Sequence, residues 1–256
     1  MEQENSLEDQ THEIIELVRQ QNKWRGETTI NMIASENQMS PLATKLSVSD
    51  FAHRYAEGLV GNRHYQGQKY QDAIEQKAID LTRDLFGVEY AELRAPTATT
   101  ANLAIFYGVC KRFDKYFSLS VPAGAHISFR RFGGAGCRGL EIMDIPFDPE
   151  QFNIDIELLE TILVGIKPKL ITLGGSVFLF PHPIEQVAKI CRDTGTIIHY
   201  DASHVLGLIA GGEFQDPIKE GADIVVGSTH KTFPGPQGSL MLTNSKKLFK
   251  KMTAWF

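Results

Sequence analysis

Cysteine is scarce in this sequence. Cys110, Cys137 and Cys191 are the only three among 256 residues, an odd number with no Cys-x-x-Cys pair. That excludes a zinc ribbon and a disulfide framework, and each Cys, lying in an apolar stretch, reads as a small core residue. Long apolar runs are lacking too: no uninterrupted stretch approaches the roughly 20 residues of a membrane span. Basic runs are absent apart from Lys246, Lys247, Lys250 and Lys251, and 26 Lys and Arg against 31 Asp and Glu leave a net charge of −5 with His neutral. A weakly acidic chain without a basic stripe is a poor nucleic-acid binder, and the four lysines read as the solvated face of a helix. The polar, acidic opening MEQENSLEDQ is unlike a signal or transit peptide, so a cytoplasmic, reduced protein is expected. What remains is 42% hydrophobic and 22% charged, the proportions of a folded globular chain rather than a disordered one. The length suits one large domain or two small ones.

Residues 6–23 predict an amphipathic helix with Ile14, Ile15, Leu17 and Val18 on one side, and 41–53 predict a second helix. Between 57 and 70 the pattern gives way to EGLVGNRHYQGQKY, a loop rich in Gly and aromatics, of the kind that often carries function. Helical spacing returns at 70–86, where Ile74, Ala78, Leu81 and Leu85 recur at i, i+4, i+7 and i+11. From there strands alternate with helices: 89–93, the helix-like TANLAIFYGVCKRF, then strands at 117–121 and 140–145. A helix at 155–166, a strand at 169–173, the helix IEQVAKICRDTG and the strand TIIHYD at 196–201 follow. A short helix at 216–221, DIVVG at 223–227, SLMLT and the helix KKLFKKMTAW complete the pattern. Such alternation predicts an α/β fold, an open and mostly parallel sheet with helices on both faces. No internal repeat or Pro-rich linker interrupts it.

In open α/β sheets ligands bind at the carboxyl ends of the strands. Asp201 ends one buried strand, and Lys231 follows the next strand-like run, preceded by hydroxyls and followed by glycines. An Asp and a Lys so placed suit pyridoxal 5'-phosphate (PLP), which needs an amine for its Schiff base and a carboxylate for its pyridinium nitrogen. A surface Lys and a helix-capping Asp have the same spacing, and spacing alone does not separate the two. Thr97-Ala98-Thr99-Thr100 precedes a helix and reads either as an anion cradle at its N-terminus or as a plain Thr cap.

Five collinear segments carry a more specific signal: Ile33-Ala34-Ser35-Glu36-Asn37; Tyr55-Ala56-Glu57-Gly58; Gly61-Asn62-Arg63-His64-Tyr65-Gln66-Gly67; Asp201-Ala202-Ser203-His204; and Ser228-Thr229-His230-Lys231-Thr232. Together they resemble serine hydroxymethyltransferase (glycine hydroxymethyltransferase), a family of fold-type I PLP-dependent enzymes. Gly174-Gly175-Ser176 with Phe180-Pro181-His182-Pro183, and the run Thr232–Gly238, resemble its archaeal-type branch. The resemblance implies a seven-stranded-type large domain at 61–256, preceded by an N-terminal helical arm and substrate loop at 1–60, and a family C-terminal domain absent from this chain. It implies that Lys231 holds the cofactor covalently, that Asp201 pairs with the ring nitrogen, that His204 lies beside the phenolic oxygen, and that His126 stacks on the ring. Thr97, Ala98 and Thr99, with Ser228, His230 and Gly238, would surround the phosphate and the approach to the Lys. Ser176 would approach the phenolic oxygen, and Ser35 would face the substrate carboxylate. Glu57 would transfer a proton on the hydroxymethyl group, flanked by Tyr55 and Tyr65. In the family the Tyr55–Glu57 segment reaches the neighbouring subunit's site, so a homodimer is implied. The expected reaction moves the one-carbon unit of serine to a reduced pterin, tetrahydrofolate or tetrahydromethanopterin, leaving glycine.

Three departures stand against that pattern. Where the family continues from the stacking His to a second His, this chain reads Ile127-Ser128-Phe129-Arg130-Arg131-Phe132; the cradle is Thr-Ala-Thr in place of Ser-Gly-Ser; and no Arg follows Arg192 to clamp a substrate carboxylate. Two alternatives therefore stand beside the expected enzyme: a PLP-dependent threonine aldolase or transaldolase, and an inactive or partial subunit needing a complementary C-terminal chain. No metal site is expected.

Overall fold

The structure, a computed structural model, describes residues 6–256 and divides into two compact units, residues up to Glu36 and Asn37–Phe256. In the first unit Ser6 caps helix α1 (Leu7–Lys23). Its hydroxyl accepts the Asp9 N–H while the Asp9 carboxylate accepts the Ser6 N–H, the reciprocal capping box. The predicted apolar side, Ile14, Ile15, Leu17 and Val18, is exposed. A π turn follows at Trp24–Thr28, and Arg25 and Asn31 both bond the Glu36 carboxylate.

The second unit opens with α2 (Pro41–Ser47), capped by Ser40 with Pro41 in its first turn. The single helix predicted over 41–53 is broken at Val48 (φ −104°, ψ 63°), and Asp50–His53 forms a separate 3-10 turn. Ser47, Val48 and Ser49 explain the break: hydroxyls compete for backbone bonds and the β-branched residue loses side-chain freedom in a helix. The Gly-rich loop contains a small hairpin, β1 (Gly58–Leu59) with β2 (Asn62–Arg63). Helix α3 (Lys69–Phe86) ends on left-handed Gly87, and its stripe Ile74, Leu81 and Leu85 stays exposed.

Then come β3 (Tyr90–Glu92), α4 (Ala98–Val109), β4 (Lys115–Ser118), α5 (Gly134–Arg138) and β5 (Glu141–Asp144). A hairpin of β6 (Phe147–Asp148) and β7 (Asn153–Ile154) precedes α6 (Ile156–Ile166) and β8 (Leu170–Gly174). Helix α7 (Ile184–Thr194), β9 (Ile197–Asp201), α8 (Leu206–Ala210) and α9 (Pro217–Glu220) lead to β10 (Ile224–His230), β11 (Pro234–Thr243) and α10 (Lys246–Thr253).

Seven strands form one sheet in the order β3-β11-β10-β9-β8-β4-β5. β11 alone runs antiparallel to its neighbours, β10 and β3. The mostly parallel α/β sheet expected from the alternation is thus present. Every residue of β8 is buried, as a strand covered on both faces should be. β4 lies two residues earlier than its predicted start, because the Ser120 carbonyl accepts the N–H groups of Ala123 and Ala125 and turns the chain. β10 and β11 run further toward each other than predicted, through the Thr232–Gly238 segment.

α4 is apolar almost all round, burying Ile105 and Phe106, and it packs against α10, whose Leu248 and Met252 are buried at i and i+4. The lysines of α10 occupy its outer side, as expected. Cys110 and Cys191 are core residues, but Cys137 is exposed. The short α5 turns Gly134 and Ala135 inward, and Cys137, about 200° further round from Ala135, faces out. Among the described residues no helix is long and apolar enough to cross a membrane.

Candidate active site

A cavity of about 280 Å³ lies where β8, β9 and β10 end and the N-terminus of α4 approaches them. Strand termini supply most of its walls. Asp201 is the last residue of β9 and is 4% exposed. Its Oδ2 accepts from Asn102 Nδ2 at 2.9 Å and its Oδ1 from the Ser203 N–H at 2.9 Å. The two bonds fix the orientation of the buried carboxylate.

Lys231 follows β10 directly. The β10–β11 ladder slips register between Ser228 and His230, a bulge that re-aims the residues beyond it. Lys231 Nζ comes to 3.2 Å from His204 Nε2. Burial lowers the Lys231 pKa from its usual value, with the Asp201 charge acting in the opposite direction. Burial and then the Lys231 charge bring His204 down to about 4, so its ring is neutral near pH 7 and Nε2 can accept a hydrogen bond from the lysine. Thr232 fixes this corner: its hydroxyl donates to the His204 carbonyl at 2.9 Å and accepts the Gly207 N–H at 3.2 Å.

Opposite, the loop of His126 and the loop after β8 are tied together. Gly124 O accepts from the N–H groups of Ser176 and Val177 at 2.8 and 3.1 Å. The Ser128 N–H donates to His126 Nδ1 at 3.2 Å, and the Ser128 hydroxyl lies 2.8 Å from the same nitrogen. Nδ1 therefore accepts and the ring hydrogen sits on Nε2. Burial lowers the pKa of His126, and that of His230 likewise. Thr97 caps α4, its oxygen accepting the Thr100 N–H at 3.1 Å, so the anion-cradle and cap readings of this segment describe one and the same turn.

The cavity brings together Thr97, Ala98, Thr99, His126, Ser176, Asp201, His204, Ser228, His230 and Lys231 of the residues singled out from the sequence. Gly238 lies instead in a separate groove against α3, while its neighbour Gln237 borders both. Glu57 borders another cleft with His64, Arg94 and Lys250, and Tyr55 and Tyr65 stack on each other at 5.8 Å, both exposed. Ser35 belongs to the first unit. Asn102 lines the cavity without having been singled out, and Ser203, Gly175 and Gln237 line it from within the quoted segments without having been given a role. Asn102 left a trace, the one polar side chain in the apolar run Ala101–Phe106.

The residues present fit PLP. Asn102 Oδ1, Ser203 Oγ and His230 Nδ1 are buried with no partner, and all three belong to cavity-lining residues. A deep carboxylate, a desolvated amine and the open N–H groups of a helix N-terminus match a pyridine nitrogen, an aldehyde and a phosphate.

Sheet order, the single antiparallel strand and the lysine between β10 and that strand are those of the large domain of a fold-type I PLP-dependent enzyme. The comparison with known sequences narrows the class: the family model for serine hydroxymethyltransferase matches residues 7–254, and the chain belongs to that family. It is 44% identical to the serine hydroxymethyltransferase of Sulfolobus acidocaldarius over 98% of this chain and 59% of that protein. It is 48% identical to that of Pyrococcus abyssi over 90% and 53%, and 47% identical to that of Methanothermobacter thermautotrophicus over 93% and 56%. The chain thus spans a little over half the length of these relatives. Members of the family depend on PLP, act on serine and glycine with folate-type substrates, and are typically homodimers.

Proposed function

We propose that this chain is the cofactor-holding part of a serine hydroxymethyltransferase, interconverting serine and glycine in the cytoplasm with tetrahydrofolate or tetrahydromethanopterin as the one-carbon carrier. One observation carries the reading: Lys231, Asp201 and the N-terminus of α4 line a single cavity. When bound, PLP supplies an electron sink for the bond broken at the amino-acid Cα.

The chain's own residues do the rest. Asp201, held by Asn102 and Ser203, keeps a proton on the ring nitrogen. Lys231, desolvated and facing the neutral His204, spends more time as the free amine and would be the residue that holds the cofactor through its aldehyde. His126 would face the ring of the bound cofactor, Ser176 its phenolic oxygen, and Thr97, Thr99, Ser228 and His230 its phosphate. Glu57, with Tyr55, Tyr65 and Ser35, acts on the substrate side, Glu57 moving the proton of the hydroxymethyl group, and Gly238 belongs with the cofactor side. Two copies forming a homodimer would bring the Tyr55–Glu57 segment of one to the cavity of the other. The exposed Tyr55, Tyr65, Ile74, Leu81 and Leu85 supply apolar surface for such an interface. The arm at 1–60 and the domain at 61–256 divide the work accordingly, and the carboxylate clamp comes from protein beyond these residues, on the same or a complementary chain.

The test is spectroscopic. PLP added to the chain should give the visible absorbance band of a protein-bound cofactor, abolished by Lys231→Ala; no band with the wild type would end the proposal. Asp201→Asn should retain the cofactor and lose turnover. Cleavage of threonine or phenylserine without pterin dependence would point to an aldolase instead.

A further inference from the structure

Residues 175–183 join β8 to α7 and close back on the strand they leave: the Gly174 N–H donates to His182 Nδ1 at 2.9 Å. Ser176, which lines the cavity, lies two residues beyond that amide. The turn between them is tight. Gly174 stands at φ +79°, where a Cβ would meet the Asp201 carbonyl oxygen at 2.1 Å, and at Gly175 a Cβ would meet the Gly124 carbonyl oxygen at 2.5 Å. With no side chains on these two residues to pack, main-chain bonds set the course of the turn.

His182 is itself held from three directions. It precedes Pro183, which favours an extended backbone, and an extended residue turns its N–H and C=O to the same side. Gln215 grips both: its Oε1 accepts the His182 N–H and its Nε2 donates to the His182 carbonyl, each at 3.0 Å. The same carboxamide accepts the Tyr200 hydroxyl at 2.9 Å and donates to the Glu220 carboxylate at 2.6 Å, so its bonding capacity is filled. Pro183 (φ −77°, ψ 62°) makes an inverse γ-turn in which the Ile184 N–H donates to the His182 carbonyl at 2.8 Å, tying the residue to the start of α7. The ring is buried, 4.8 Å from the Phe178 ring and edge-on to Tyr200 at 6.4 Å. An apolar side chain would fill this space as well. What the imidazole adds is one acceptor aimed at the amide that begins the Ser176 turn.

We propose that His182 is a positioning residue: gripped on its main chain by Gln215, its ring holds the Gly174 N–H and so sets the turn that presents Ser176 to the cofactor cavity. The proposal rests on the PLP reading of that cavity. His182 lies outside the cavity lining and acts through the turn alone.

The test compares variants that keep or lose an acceptor at the Nδ1 position. Asn and Gln both carry an amide oxygen; in Asn it is bonded to Cγ, as Nδ1 is in the ring, and in Gln it lies one atom further out. PLP is titrated by absorbance, well below the melting temperature of every cofactor-free variant. His182→Leu should weaken binding about tenfold, equivalent to about 1.4 kcal/mol, and displace the visible band, whereas His182→Asn should stay within about threefold of wild type. In a Ser176→Ala background the His182→Leu change should cost less than about twofold, because the group it serves is gone. An Asn variant as weak as the Leu variant, an equal loss in both Ser176 backgrounds, or no loss at all would overturn the proposal. Should His182→Leu fail to fold, His182→Gln replaces it in every comparison under the same criteria. In the cofactor-free chain the Gly174 amide should exchange about tenfold faster in the Leu or Gln variant than in the Asn variant, and equal rates would also overturn the proposal. Failure of the underlying reading looks different: the wild-type chain would show no bound-cofactor band, with the exchange result unaffected.

Discussion

Asn102 donates its side-chain N–H to Asp201 Oδ2 across 2.9 Å, joining the second turn of α4 to the end of β9 inside the core. A hydrogen bond to a charged group contributes about 1.5–3 kcal/mol. Asn102→Leu removes that donor and also the unpartnered Oδ1. The cofactor-free chain should melt within a few degrees of wild type, while the PLP dissociation constant rises about tenfold or more. An unchanged affinity in an absorbance titration would show that the Ser203 N–H alone suffices to orient the carboxylate.

The alternation of strands and helices was legible because β8, β9 and β10 are buried apolar runs of strand length and α7 carries a clear helical period. Lys231 and Asp201 were legible for the same reason: both sit where such a run ends. Asn102 was not, since its role depends on a strand about a hundred residues away that sequence spacing does not place beside it. The exposure of Ile74, Leu81 and Leu85 was equally hidden. An amphipathic period reveals that a face is apolar without revealing whether this chain or another surface covers it. The break at Val48 lay below what a helical window of that length resolves.

Gly174 tests how tightly the floor of the site is built. It ends β8 at φ +79°, its N–H donates to His182 Nδ1 at 2.9 Å, and a Cβ there would lie 2.1 Å from the Asp201 carbonyl oxygen. Gly174→Ala combines a left-handed penalty of about 1–2 kcal/mol with a clash that pushes β8 from β9. A loss of about 3 kcal/mol or more is expected, a fall in Tm of roughly 6–12 °C for a chain of this size, together with lost PLP binding. Gly195→Ala is the control: φ there is +71° but a Cβ meets nothing within 4 Å, so only about 1–2 kcal/mol should be lost. Equal losses in calorimetry would refute the clash.

Arg63 should govern the order of the loop that carries Glu57. Its side chain is 3% exposed and bonds Asp72 at 2.7 Å, Glu75 at 2.5 Å and the carbonyls of Ala56 and Gly58 at 2.6 and 2.9 Å. Arg63→Ala leaves two carboxylates and two carbonyls without their cation and removes the bonds that hold the hairpin to α3. Because these bonds tie the hairpin to α3 rather than to the sheet, hydrogen exchange should accelerate at Gly61 and His64 and stay slow in β8 and β9. Uniform acceleration across the sheet would mean that Arg63 supports the whole domain instead.

Acid should unfold the chain through its buried histidines. Burial brings His182 to about 4, and His199 likewise. His182 Nδ1 accepts the Gly174 N–H, a role that needs the neutral ring. In the unfolded chain both titrate near the ordinary value of about 6.5. The folded pKa values are depressed, so between about pH 6.5 and 4 the unfolded state holds protons that the folded state refuses. Stability is then fully present above pH 6.5 and falls as the pH drops through that window, by up to about 3 kcal/mol for each ring. Denaturant titrations at pH 7, 5.5 and 4.5 should show this decline, and His199→Leu should make it shallower by about one proton's slope. The same slope in wild type and variant would mean that His199 is already protonated in the folded chain.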